Sequence, residues 1–181
     1  MLVVAAACGN DPPNKEIQQA QSAIQVARTA GADEYAREEL VAADEALKRA
    51  HDAVGQRDYR LALDNAIESR EQAQNAAKEA TERLVAARTE AEQALRDVTS
   101  ALSQAQGRLK AAEVAHVSSR LLSEAHDAVD DGEMAVQKAR AAVARGQYRQ
   151  VAPELKGATA RLSSTIKELD AARAAAGRRH R

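Results

Sequence analysis

The chain has 181 residues, with 26 basic and 27 acidic side chains and a formal net charge of −1. Alanine alone supplies 44 residues, and Ala, Glu, Lys, Leu and Arg together supply 100, which is the composition of long helices and coiled coils. Leu, Ile and Val number only 31 and there is no Phe or Trp, so a wide globular core and a β-sheet are both excluded. The near-zero net charge argues against a disordered chain.

The chain opens with a short apolar run, Met1 to Ala7, that leads into the only cysteine, Cys8. An apolar run ending in small residues is the end of an export signal, not the start of a domain. Ala5-Ala6-Ala7-Cys8 resembles the cleavage box of bacterial lipoproteins, although that family favours Leu or Val where Ala5 stands and has a charged leader. The resemblance implies acylation of Cys8, which would then become the mature N-terminus. Residues 1–7 are accordingly expected to be the remnant of a signal peptide, and 8–14 a lipidated, extended tether. The alternative is a cytosolic chain with an ordinary cysteine. A lone Cys forms no internal disulfide, and no stretch approaches the roughly 20 apolar residues needed to cross a bilayer.

Beyond the tether the spacing predicts a first helix from about Lys15 to Ala30, with Ile17, Ala20, Ile24 and Ala27 on one face and Gly31 as its stop. A second helix is expected from Asp33, acting as its cap, to Gly55, with a heptad seam of Ala36, Leu40, Ala43, Leu47, Ala50 and Val54. Asp58 is positioned to cap a long third helix that no Gly or Pro interrupts before Gly107. Its seam runs through Tyr59, Ala62, Ala66, Ser69, Ala73, Ala76 and Ala80, takes an extra four-residue step to Leu84, and resumes through Ala91, Val98 and Ala105. Such a step is a stutter, which locally unwinds a left-handed supercoil. A fourth helix carries Leu122, Ala125, Val129, Gly132, Val136, Ala139 and Val143 and ends at Gly146. A fifth begins near Tyr148, holds Val151, Leu155, Leu162 and Leu169 on its seam, and places Pro153 in its first turn. Residues 177–181 read as a frayed basic tail.

These elements predict an all-α, elongated antiparallel bundle or coiled coil of about four to five helices, one of them long, with Ala-rich seams. Two units are expected, 15–90 and 91–176, because Ala46, Ala50, Ala53, Val54 and Tyr59 recur 89 residues later as Ala135, Ala139, Ala142, Val143 and Tyr148. Residues 1–90 carry 11 basic and 16 acidic groups, and 91–181 carry 15 and 11, so opposite signs favour contact between halves or between copies.

Gly31-Ala32-Asp33-Glu34-Tyr35-Ala36 followed by Glu39-Leu40 resembles the opening of a domain of unknown function common in bacterial envelope lipoproteins, number 4398 of that series. Asp58-Tyr59 with Ala62 and Ala66 resembles its second signature, so the likeness covers roughly 15–90. The family often has Pro where this chain has Arg37, and Gly directly before the acidic-Tyr pair, where Gln56 and Arg57 intervene. The resemblance implies an exported, lipid-anchored helical protein with no activity attached. Physically, Gly31, Gly55, Asp58 and Gly146 mark helix-to-helix turns. Tyr35, Tyr59 and Tyr148 are expected to plug bundle ends where Ala is too small, with ligand stacking as the alternative.

Little else carries chemistry. His51, His116, His126 and His180 lack metal-ligand spacing. Glu38-Glu39, Asp44-Glu45 and Asp130-Asp131 read as solvated faces, since a catalytic pair needs surroundings that pull two pKa values apart. No phosphate loop occurs, and nothing basic and aromatic is arranged for nucleic acid. No catalytic residue, cofactor, metal or small-molecule substrate is expected. The partners expected are a membrane, reached through the anchor, and a protein or second copy reached through helix packing. The expected place is the periplasmic face of the envelope, and Gly9 after the Cys favours the outer membrane. The function that follows is a non-enzymatic spacer, scaffold or partner-binding module. The alternative is a protein whose amphipathic helices lie on a lipid surface, which usually requires bulkier apolar faces than Ala provides.

Overall fold

The computed structural model describes residues 11–179. Six helices follow one another: α1 (Asn14–Thr29), α2 (Ala32–Tyr35), α3 (Arg37–Gly55), α4 (Tyr59–Val114), α5 (Ser119–Ala144) and α6 (Val151–Arg179). No strand occurs among the described residues. The chain divides into two compact units, Met1–Val85 and Ala86–Arg181, and α4 contributes its first part to one and its second part to the other.

In the first unit α1, α3 and the start of α4 pack as an up-down-up bundle. Arg28 of α1 pairs with Asp44 of α3, and Gln21 meets His51 about two turns further along, so numbers rise on one helix as they fall on the other. Arg49 to Glu68 and Ser69 to Ala43 show the same antiparallel order between α3 and α4. Ile17, Ala20, Ile24 and Ala27 are all buried, as the spacing predicts. Most of the remaining core is alanine, including Ala43, Ala50, Ala62, Ala66, Ala73 and Ala76. Each such residue buries little area but lets two backbones come close. Ser69, fully buried, reaches across this gap and donates its hydroxyl to the Ala43 carbonyl at 2.8 Å.

The second unit repeats the order with the end of α4, α5 and α6. His126 meets Glu113, Gln106 meets Glu133, and Lys138 of α5 meets Glu154 of α6, again antiparallel. Its core is bulkier: Leu102, Leu109, Leu155, Leu162 and Leu169 interleave with Val98, Val129 and Val136. Gly132 of α5 sits beneath Leu102 and Leu162. The residues that recur in sequence take equivalent places, with Ala50 and Ala139 buried and Tyr59 and Tyr148 half-buried where a new helix begins.

The extra four-residue step along α4 coincides with the division between units. Between Thr81 and Glu90 no residue is fully buried, and Leu84 and Ala87 are only half-covered. The division at Val85/Ala86 stands five residues before the expected one.

Several local expectations are corrected. The long helix is not among them: it passes Gly107 without ending, as the sequence allows, and continues to Val114. Gly55 is the last helical residue of α3 without leaving the right-handed region; the left-handed residue in that turn is Arg57 (φ 61°). His116 (φ 52°) plays the same part after α4. α6 starts at Val151, three residues after Tyr148, and runs through Gly177 and Arg178, which were expected to fray. Pro153 does lie in its first turn, where the missing donor is harmless.

Candidate functional site

The first family signature folds into a short turn. Gly31 takes φ 89° and ψ 22°, a left-handed geometry that glycine adopts without steric cost, and its carbonyl accepts from the Glu34 and Tyr35 amides. One turn of helix, α2, follows. Asp33, expected to cap the second helix, therefore does not do so. It lies inside α2, and the chain breaks at Ala36 (φ −144°, ψ 48°) before α3 begins at Arg37. Tyr35 is buried beside Gly31, its Cδ2 3.5 Å from where a Gly31 Cβ would stand.

The break leaves the Tyr35 carbonyl available to a side chain. Arg83 of α4 donates to it from Nη1 at 2.7 Å and forms an ion pair with Glu79, one turn back on α4, through Nη2. Glu79 in turn lies carboxyl to carboxyl against Glu39 of α3. Glu39 was expected on a solvated face. Instead it is half-buried, and its Oε2 is sealed from solvent with no donor on it from the described residues. Its own backbone N–H, then the contact with Glu79, hold the Glu39 carboxyl below the ordinary carboxylate range. The same contact pushes the Glu79 carboxyl above that range, burial adds to the rise, and Arg83 opposes it. Two carboxyl groups in contact titrate as a pair, because charging one makes charging the other costlier.

The remaining signature residues lie elsewhere. Asp58 does cap α4, its Oδ1 accepting from the Leu61 amide at 3.0 Å. Tyr59 is the first residue of α4, at the end of the unit opposite Tyr35. Gly146 (φ 76°) closes α5, and Tyr148, half-buried, packs on the second unit's core. Gly55 is exposed. Tyr35 and Tyr59 thus occupy separate ends of one unit and share no pocket. Cys8, the expected lipidation position, lies outside the described residues.

Elsewhere the surface carries many ion pairs, with single apolar side chains such as Val26, Val114 and Met134 exposed among them. An open groove of about 700 Å³ between α1 and α4 is lined by residues such as Lys15, Gln19, Arg70 and Gln74. Another, about 660 Å³, is lined by Leu95, Arg96, Thr99, Ser103 and Arg140 of α4 and α5. Arg88 is raised further above its usual range by Glu92, 2.8 Å away, with Tyr148 a lesser cause. Among the described residues no three His, Cys, Asp or Glu side chains gather as a metal ion requires, and no helix is long and apolar enough to cross a membrane.

Sequence reasoning named the turn but missed Glu79 and Arg83. Their spacing of four on one helix was a usable signal, while the α4 partner of Glu39 depends on interhelical register that no local pattern displays.

No curated protein and no solved structure matches the chain. A family does match, over residues 15–94, a stretch that holds both signatures, the turn and the Glu39–Glu79–Arg83 cluster. Over that stretch the chain is similar to the family described as a domain of unknown function, DUF4398.

Proposed function

We propose that the chain is a non-enzymatic helical module of the cell envelope, tethered through lipid on Cys8, that engages a protein partner or a second copy along its helices. The observation that carries the reading is the construction of the bundle. One helix of 56 residues, α4, enters both up-down-up units, with small residues turned inward and charged ladders outward. Such a framework offers interhelical grooves to a further helix. Both grooves are open; the one beside Gln74 is mainly polar and the one beside Ser103 mainly apolar, a combination that suits an amphipathic helix of a partner. The Ala-Ala-Ala-Cys box supplies the argument for the anchor, since acyl chains contribute about 0.8 kcal/mol per buried CH₂ and more than one chain holds stably. The lipid-surface alternative is less favoured, because the inner faces of the first unit are mainly alanine and offer an acyl layer little apolar area.

The test is the intact mass of the protein expressed from its own locus, with its upstream DNA, in the native host. A mature chain that starts at Cys8 and carries diacylglycerol plus a fatty acyl group is the expected result. An unmodified chain starting at Met1 overturns the anchor and the envelope assignment. Photo-crosslinkers placed at Gln74 and Ser103 in the same host should trap one defined protein or a dimer. Equal labelling of many proteins would remove the partner-binding reading.

A further inference from the structure

Glu39 is the starting point. A carboxylate oxygen sealed inside a protein has lost its hydration, and native structures almost always replace it with a donor. Glu39 Oε2 is sealed and has none from the described residues. The group that reaches Glu39 is a second carboxyl, Glu79, which is a donor only while it holds a proton. The geometry points to a proton-operated latch, in which one proton shared by Glu39 and Glu79 fastens the start of α3 to α4 and its loss frees the Gly31–Leu40 turn.

The proton balance is simple. With one proton, Glu79 donates its O–H to the Glu39 carboxylate and the pair carries a single negative charge. Rising pH sends that proton to solvent, leaving two carboxylates in contact. Of the charged groups around them, Arg83 of α4 is attractive, but its guanidinium is divided between Glu79 and the Tyr35 carbonyl. Glu82, also on α4, adds repulsion. On α1, which packs against α3 as well, Arg28 is committed to Asp44. From α2 comes Tyr35, whose carbonyl helps to hold Arg83 in place. Among the described residues Arg83 is the cation that acts on both carboxyls.

The location gives the latch its consequence. Ala36 breaks the backbone between α2 and α3, so side-chain contacts bear much of the job of holding that end of the bundle closed. Tyr35 is the large side chain buried there. Losing the proton loosens the turn and uncovers the ring while the rest of the unit stays packed. This inference is independent of the lipid anchor.

Amide hydrogen exchange on the full chain tests it. Protection of Tyr35 to Leu40 is measured relative to Leu155 to Leu162 of the second unit, which cancels the intrinsic pH dependence of exchange. As pH rises from about 4.5 to about 8 the relative protection should fall, because the raised Glu79 loses its proton over that window. In Glu79→Gln, whose amide donates at every pH, it should stay level. A level profile in the wild type, or the same fall in Glu79→Gln, overturns the latch. Carbon-13 titration of the glutamate carboxyls gives a reading that does not depend on that variant folding. One glutamate should titrate above the ordinary range in the wild type and return to it in Glu39→Gln; an ordinary titration of every glutamate in the wild type rejects the proposal.

Discussion

Gly132 lies where α5 crosses α4 and α6, and replacing it by alanine sets two effects against each other. A Cβ there would stand 3.1 and 3.2 Å from the two Leu162 methyls and 3.2 Å from Leu102 Cδ1. Carbon atoms pack favourably at about 3.5–4.0 Å, so all three contacts are short by a few tenths of an ångström. Leu162 is 0% exposed and Leu102 8%, which leaves neither methyl room to swing outward. Overpacking of this kind costs about 1–3 kcal/mol, while exchanging Gly for Ala inside a helix returns about 1 kcal/mol. Gly132→Ala should therefore destabilise the protein by about 1 kcal/mol, a fall of about 2–4 °C if the whole chain melts in one transition. Gly157 in α6 is the internal comparison. Nothing lies within 4 Å of a Cβ at that position, so Gly157→Ala should stabilise by about 0.5–1 kcal/mol. Urea unfolding followed by far-UV circular dichroism reads both variants. Adding Leu162→Val to Gly132→Ala should restore part of the loss, with a coupling of about 0.5 kcal/mol or more. If Gly132→Ala proved as stabilising as Gly157→Ala, the close packing of these three helices would be refuted.

Ser69→Ala removes the buried hydroxyl bond to the Ala43 carbonyl and should cost about 1 kcal/mol in the same assay. Ser69→Leu should cost more, because the α3–α4 gap it bridges at 2.8 Å has no room for four carbons. Gly31→Ala should lose about 1–2 kcal/mol through backbone strain alone, since φ is 89° and the new Cβ makes only ordinary contact with Tyr35 at 3.5 Å. The Glu39–Glu79 pair gives stability a two-sided pH dependence. The raised Glu79 contributes stability at low pH that is lost as pH rises through its folded-state value. The lowered Glu39 contributes stability that is lost as pH falls through its own. Thermal melts of the wild type should peak between the two values, and Glu79→Gln should lose the fall on the alkaline side.

Helices were legible here because alanine, leucine and charge alternate with period 3.6 over long stretches, and burial at Ile17, Ala50, Val98, Leu155 and Leu169 follows that pattern. The stutter at Leu84 was legible too, and it falls where the units divide. Turn details were less visible. Glycine is the cheapest left-handed residue but not the only one, and in two turns the chain uses Arg57 and His116 instead. The one-turn helix α2 escaped because four residues give no period, and its break at Ala36 arises from an ordinary small residue under tertiary constraint. The carboxyl pair escaped for a deeper reason. Glu39 and Glu79 are separated by one descending and one ascending helix, so a shift of a single residue in register would leave both in water.

Each unit is also a contiguous stretch of chain, closed by bonds between residues as near as Glu113 and His126 and as far as Arg108 and Asp170. Low relative contact order of this kind puts helical domains in the microsecond-to-millisecond range of folding. Translation adds only about 5–20 residues per second. Chain order therefore delivers every segment of the first unit before α6, at the ribosome and in passage across a membrane alike. During that interval the second part of α4 protrudes with Val98, Leu102 and Leu109 uncovered, waiting for the two helices that will bury them. The period in which this chain is exposed to chaperones or to its own neighbours is set by how fast the chain is delivered, not by folding.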